Sequence, residues 1–74
     1  MNKVRRESIQ GIATRLDNLR SELEALLDEE QGYLENMPES LQSSVRGEEA
    51  EEAIESLEAA TSSIEEALSS LEVI

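Results

Sequence analysis

Apolar residues recur at alternating spacings of three and four through the first half of this chain, and this heptad pattern limits its fold more than any other feature. The series has no slip and runs through Ile9, Ile12, Leu16, Leu19, Leu23, Leu26, Glu30, Tyr33 and Met37. Such spacing places side chains on one stripe of an α-helix. A second, partial stripe at Ala13, Leu27 and Leu34 widens the apolar face. We therefore predict a long first helix that faces another helix.

The second half of the chain carries two overlapping heptad series. The first runs through Ala50, Ala53, Leu57, Ala60, Ile64, Ala67, Leu71 and Ile74, and we expect it to form the core of the second helix. The other runs through Ile54, Leu57, Thr61, Ile64, Leu68 and Leu71. A helix with a single neighbour needs only one series, so one should face the first helix and the other should face another chain.

The predicted fold is all-α: an antiparallel helical hairpin of two long heptad helices, assembling into an oligomeric helical bundle. A chain of 74 residues buries little surface alone, which favours a homo-oligomer, either a dimer or a tetramer. We expect one domain over residues 1–74, with helix one at about 3–35, a connection at about 36–44 and helix two at about 44–73.

Local sequence signals predict how the helices begin and end. Asn2 is a plausible N-cap for helix one, and Asn36 is expected to end it in a left-handed conformation. Pro38 should open a short helical turn that folds Leu41 onto the core. Either Ser43 or Ser44 should cap helix two.

Gly32 weakens the end of helix one. Its missing side chain would suit the close approach of another backbone or of a ligand beside Tyr33. The alternative is a helix that is beginning to end.

Composition excludes several functional classes. The chain has no cysteine and no histidine, so it offers no disulfide, no thiolate metal site and no imidazole ligand or general base. We find no catalytic motif, and we expect neither an enzyme nor a cofactor. The net charge of −12 opposes binding to a nucleic-acid polymer. No apolar run reaches the roughly 20 residues that cross a bilayer, so we expect no membrane contact and a cytoplasmic location.

The charge is distributed unevenly along the chain. Residues 1–20 carry five basic and two acidic side chains, whereas residues 21–74 carry one basic and sixteen acidic side chains. In an antiparallel hairpin the basic start of helix one would lie beside the acidic end of helix two. This lateral complementarity is a sufficient structural reason for the asymmetry.

The connection also carries side chains suited to recognition. Tyr33 could stack on a planar ring, and the amides of Asn36 and Gln42 could read donor and acceptor edges. Hydroxyls and a lone cation could contact phosphate; these belong to Ser43, Ser44 and Arg46. The alternative is that these residues only turn the chain and cap its helices.

The segment from Tyr33 to Ala53 contains N-M-P-E-x-L-Q-x-S followed by R-G-x-x-A-E-E-A. It resembles small, acidic, all-helical proteins of phages and bacteria, of the type found in the anti-CBASS sponge family. That resemblance implies a non-enzymatic phage protein that sequesters a cyclic oligonucleotide immune signal, such as cyclic GMP-AMP, between subunits in the host cytoplasm. The implied ligand-binding residues are Tyr33, Asn36, Met37, Pro38, Gln42, Ser43, Ser44 and Arg46, with Arg5 and Arg6 from another chain.

Two functions of other classes also fit the sequence. A structural or adaptor coiled-coil oligomer would bind a protein partner, and its turn would have no chemical role. An acidic mimic of DNA would occupy a nucleic-acid-binding protein through carboxylates spaced like phosphates.

Overall fold

The computed structural model describes all 74 residues as three helices: α1 at Lys3–Glu35, α2 at Glu39–Gln42 and α3 at Val45–Glu72. The two long helices, α1 and α3, pack side by side in opposite directions. The result is a rod whose Cα atoms extend over 58 × 14 × 13 Å. The prediction of an all-α hairpin with two long packed helices is confirmed.

Helix α1 begins with a side-chain cap, as the sequence predicts. Asn2 has extended backbone angles, and its Oδ1 accepts a hydrogen bond of 2.8 Å from the backbone N–H of Arg5. This bond satisfies one of the donors that a helix start leaves free. The N-cap of α3 differs, because Ser44 occupies the position but makes no side-chain capping bond. Its hydroxyl instead donates to the carbonyl of Leu41.

Helix α1 ends without a left-handed residue, so that prediction for Asn36 is wrong. Asn36 keeps right-handed angles of φ −85° and ψ −3°. Its N–H donates to the carbonyl of Gly32 at 3.0 Å, and the N–H of Met37 donates to Leu34 at 3.1 Å. These bonds occupy two of the carbonyls that the end of the helix leaves free, and they form without a left-handed residue.

Pro38 opens α2. Its carbonyl accepts hydrogen bonds from the N–H groups of Leu41 at 2.8 Å and Gln42 at 3.1 Å, which close the single turn of this helix. The predicted short turn is therefore present. Leu41 nevertheless stays 43% exposed, so the expectation that it folds onto the core is wrong. Helix α2 approaches α3 through the backbone of Gln42 and leaves the Leu41 side chain outside.

The close backbone approach occurs at Gly47 and not at Gly32. A Cβ at Gly47 would lie 1.9 Å from the carbonyl oxygen of Gln42, so no larger residue fits without moving the turn. A Cβ at Gly32 would meet nothing within 4 Å. The expectation of a close approach beside Tyr33 is therefore wrong within the chain, and Gly47 is the glycine that the fold requires.

In the first heptad series, Ile9, Leu16, Leu23, Glu30 and Met37 occupy position a, and Ile12, Leu19, Leu26 and Tyr33 occupy position d. Helix α1 faces α3 with positions a and e, not with a and d. The half-buried stripe of α1 consists of Ile9, Ala13, Leu16, Arg20, Leu23, Leu27, Glu30 and Leu34, and Met37 continues it just beyond the helix end. The predicted d residues Ile12, Leu19, Leu26 and Tyr33 stay 43–52% exposed. The apolar stripe of α1 spans positions d, a and e, which is wider than one neighbouring helix can cover. Helix α3 covers the a and e positions and leaves the d positions exposed.

Helix α3 also faces α1 with its a and e positions, where the a positions are Ala50, Leu57, Ile64 and Leu71. The residues turned toward α1 are Ala50, Ile54, Leu57, Thr61, Ile64, Leu68 and Leu71. The series predicted as the core is therefore only half right: Ala50, Leu57, Ile64 and Leu71 face α1, whereas Ala60, Ala67 and Ile74 are exposed. Only Gly47, Ala50 and Thr61 are buried, and no large side chain is fully enclosed. The core of a single chain is therefore thin.

Candidate functional site

The turn end of the rod carries one phenol and one guanidinium that make no side-chain hydrogen bond or ion pair within the chain. Tyr33 lies in the last turn of α1 and is 50% exposed. Arg46 is the second residue of α3, is exposed, and forms no ion pair. They are the only aromatic residue of the chain and the only cation among residues 21–74. Their side chains are available to a ligand.

Tyr33 and Arg46 also lie on the same side of the hairpin. The amide of Gln31 contacts Glu58 Oε1 at 3.5 Å across the two helices. Gln31 follows Glu30 and Glu58 follows Leu57, so both residues occupy heptad position b. The b positions of α1 and α3 therefore lie on the same side of the hairpin. In an antiparallel helix pair, the same heptad position of both helices lies on the same side. The d positions of α1 and α3 therefore lie together on the side opposite the b positions. Tyr33 and Arg46 both occupy d positions.

Other predicted ligand residues in the connection already make hydrogen bonds that hold the turn. The Nε2 of Gln42 donates to the carbonyl of Met37 at 3.0 Å, and the hydroxyl of Ser44 donates to Leu41. Met37 is half-buried, and the carbonyl of Pro38 accepts the two bonds that close α2. For these residues the capping interpretation accounts for the groups they use.

Two residues of the connection keep free side chains. Asn36 and Ser43 are exposed, and each uses only backbone groups in the turn. They could supply an amide and a hydroxyl beside Tyr33 and Arg46.

The two predicted arginines at the start of the chain lie at the opposite end of the rod. About 27 residues of helix separate Arg6 from Tyr33, which is roughly 40 Å at 1.5 Å per residue. Arg6 donates from Nε to the carbonyl of Ile74 at 3.2 Å, and Arg5 is exposed. One chain therefore does not bring Arg5 or Arg6 to the turn. Only a second chain could do so.

A groove at the open end of the rod is a feature that the sequence did not suggest. It encloses about 480 Å³ between the start of α1 and the end of α3, and it contains one cation, Arg6, with two carboxylates, Asp17 and Glu72. Its apolar floor comes from Ile9, Ala13, Leu68, Leu71 and Ile74. The mixed charge does not favour an anion there. No group of three or more potential metal-ligating side chains occurs in the structure.

The ion pairs of the structure lie within α1, not between the helices. Arg20 contacts Asp17 and Glu24, each at 2.8 Å. The hydrogen bonds to Asp17 and then to Glu24 raise the pKa of the Arg20 guanidinium above its ordinary value. The expected complementarity between the basic start of α1 and the acidic end of α3 forms no direct ion pair.

The charge separates along the rod rather than across it. Residues 21–59, which form the turn half, carry thirteen carboxylates and one cation, so this half holds the whole net charge of −12. The open half, residues 1–20 with 60–74, has five cations and five carboxylates and is neutral. Neither α1 nor α3 contains the length of uncharged apolar sequence that crossing a bilayer requires.

Comparison with models of known protein families found no match, and comparisons with curated proteins and with solved structures found none either.

Proposed function

We propose that this protein is a non-enzymatic, homo-oligomeric binding protein that sequesters a cyclic oligonucleotide signal at its turn end. The observation that supports this function is the pair of uncommitted side chains, Tyr33 and Arg46, on one side of that end. An exposed ring and an unpaired guanidinium match the two parts of a nucleotide. The ring stacks on a base, and the guanidinium binds phosphate through two parallel hydrogen bonds.

The surrounding charge makes an oligomer part of this proposal. Thirteen carboxylates in the turn half repel an anionic ligand, and Arg46 is the only cation there. A cyclic dinucleotide carries two phosphates, so one arginine cannot neutralise it. Further cations have to come from another chain, whose open half holds five. The ligand would then lie between subunits in the cytoplasm of the host cell.

A thermal-shift screen tests this function. The purified protein is heated with cyclic di- and trinucleotides, with linear nucleotides and ADP-ribose derivatives as controls. A ligand that binds only the folded state stabilises it by about 2.7 kcal/mol at a hundredfold excess over its Kd. We expect one cyclic nucleotide to raise the melting temperature.

Single substitutions locate the site in the same assay. Tyr33→Ala and Arg46→Ala should each abolish the shift, whereas Arg15→Ala removes the same charge from the open half and should preserve the shift. A flat screen at millimolar nucleotide would contradict the proposed function.

A second function, an adaptor that binds a protein partner, is favoured by the exposed apolar side chains of α1. Ile12, Leu19 and Leu26 are 43%, 51% and 52% exposed, and such a row is typical of an interaction surface. This function predicts that Tyr33→Ala and Arg46→Ala leave activity unchanged in the cell, whereas Leu19→Glu abolishes it. Testing the three variants in one cellular assay separates the two functions.

A further inference from the structure

We propose that two copies of this chain pair through one face of the hairpin, with their turn ends pointing in opposite directions. The face consists of the d positions of both long helices, and we call it the ridge face. Its members on α1 are Arg5, Ile12, Leu19, Leu26 and Tyr33, and its members on α3 are Arg46, Ala53, Ala60, Ala67 and Ile74. Only the role of Arg5 described below depends on the proposed function; the pairing itself does not.

The ridge face has the composition of an interface. Between its ends it is free of charge: α1 contributes Ile12, Leu19 and Leu26, and α3 contributes alanines. Serine occupies the adjoining g positions of α3, at Ser56, Ser63 and Ser70, so this flank of an otherwise acidic helix is small and neutral. Helices with small residues at the contact approach to about 8 Å, and leucine-lined helices approach to about 10 Å. Both spacings fit one pair of rods.

The size of the ridge face and the thinness of the core point to a second copy as the occupant. One side of the rod covers 58 × 14 Å, or about 800 Å², which is the area that each partner contributes to a typical stable interface. No large side chain is fully buried in the single chain. A second copy would cover the exposed leucines and supply the missing half of a four-helix core.

The positions of the ridge residues fit a two-fold axis. Leu19 is the middle member on α1 and Ala60 the middle member on α3, and each has two members on either side. Leu19 is the middle residue of α1 and Ala60 lies near the middle of α3, so both lie near the middle of the rod. One axis through this level, perpendicular to the helices, therefore brings both stripes into register with their copies. It places Leu19 beside the partner's Leu19 and Ile12 beside the partner's Leu26.

The charge distribution selects the opposed direction. Copies that point the same way would lay one turn half, with its net charge of −12, over another. Copies that point in opposite directions lay each acidic turn half over the neutral open half, which contains five cations. The second arrangement avoids the repulsion between like charges.

The opposed pair also completes the proposed nucleotide site. The two-fold axis places Arg5 of one chain beside the partner's Tyr33 at each end. The partner's Arg46 lies at the same end, so a ring and two guanidinium groups from two chains come together. We expect Arg5→Ala to weaken nucleotide binding about tenfold, the loss of one charged hydrogen-bonding group. An unchanged affinity would exclude Arg5 from the site.

A distance measurement without nucleotide tests the pairing. The chain has no cysteine, so Ser43→Cys introduces a single spin label in the exposed part of the turn. Pulsed electron paramagnetic resonance then gives the label-to-label distance. Opposed copies should give roughly 50–60 Å, twice the helix length from Leu19 to the turn, whereas parallel copies should give less than roughly 25 Å. A short distance, or no distance at any concentration up to millimolar, would overturn the proposal.

A matched pair of variants tests the surface itself. Leu19→Glu places two carboxylates beside the axis and should raise the dimer Kd at least about 100-fold in sedimentation equilibrium. Asn18→Glu introduces the same charge one residue away, outside the ridge face, and should leave the Kd within about threefold. Equal Kd values for the two variants would show that another surface holds the copies together. Neither experiment contains nucleotide, so failure of the proposed function and failure of the pairing are distinguishable.

Discussion

The connection and the pair of long helices are held together in different ways. The connection, residues 36–44, relies on hydrogen bonds to backbone carbonyls and on one tight contact of its backbone with Gly47 of α3. The long helices rely on half-buried apolar stripes, with no large side chain fully enclosed. The connection is complete within one chain, whereas the helix pair leaves apolar surface uncovered. Changes in the connection should therefore act equally at all protein concentrations, and changes on the ridge face should not.

The largest effect should come from Gly47→Ala. The new Cβ would lie 1.9 Å from the Gln42 carbonyl oxygen, so the turn has to move away from α3. We expect the free energy of unfolding to fall by about 3 kcal/mol or more, independently of protein concentration. Urea denaturation at several concentrations measures it.

Gly32→Ala is the matched control for Gly47→Ala. A Cβ added at Gly32 would meet nothing within 4 Å, so alanine should stabilise α1 by about 0.5–1 kcal/mol. Equal effects at the two glycines would show that helix propensity, rather than the contact with Gln42, sets the cost.

Two adjacent leucines allow the covered and the exposed flank of α1 to be compared directly. Leu27 is half-buried against α3, and Leu26 is 52% exposed on the ridge face. Leu27→Ala should cost about 1–2 kcal/mol at every concentration, less than the 2–5 of a fully enclosed leucine. Leu26→Ala should lower the free energy of unfolding by less than about 0.5 kcal/mol in dilute protein. At concentrations where copies associate, the loss should approach about 1–2 kcal/mol. If Leu26→Ala has the same cost at all concentrations, the ridge face is not covered by association.

A smaller loss than that of Leu27→Ala should come from Gln42→Ala, which removes the hydrogen bond to the carbonyl of Met37. Because that bond is partly buried, we expect a loss of about 1 kcal/mol, again independent of concentration. Ser40→Ala, in the same short helix, removes an exposed hydroxyl without a partner and should change stability by less than about 0.5 kcal/mol. A comparable loss at Ser40 would mean that helix propensity in α2, not the Gln42 bond, holds the turn.

The heptad pattern predicted the hairpin but not which flank of each stripe would be covered. Leu26 and Leu27 are chemically identical, and the sequence places them one residue apart on one wide apolar face. Their different exposure depends on where α3 lies around α1, which is a property of both helices together. The same limit explains why Ala60 and Ala67 were predicted in the core and are exposed.

The residue types of the candidate site were predictable from the sequence, but the hydrogen bonds that its side chains make within the chain were not. Residue type alone identified Tyr33 and Arg46 as the unusual side chains of the chain. The use of Gln42 on a backbone carbonyl depends on how α2 folds back, and spacing does not show this. Likewise, spacing does not show that the fold requires Gly47, because its contact is with the backbone of Gln42, which the turn brings close.

The seven-residue repeat shared by α1 and α3 has a consequence for how the length of this chain can change in evolution. Inserting one residue in either helix would rotate everything beyond it by about 100°, so partway along the rod the d residues would turn toward the other helix and the a and e residues would turn away from it. Whole heptads preserve both faces, and each lengthens the rod by about 10.5 Å. Because the helices run side by side, an added heptad in one requires another in its neighbour. Descendants of this chain should therefore differ in length by steps of fourteen residues, with changes of other sizes confined to the ends.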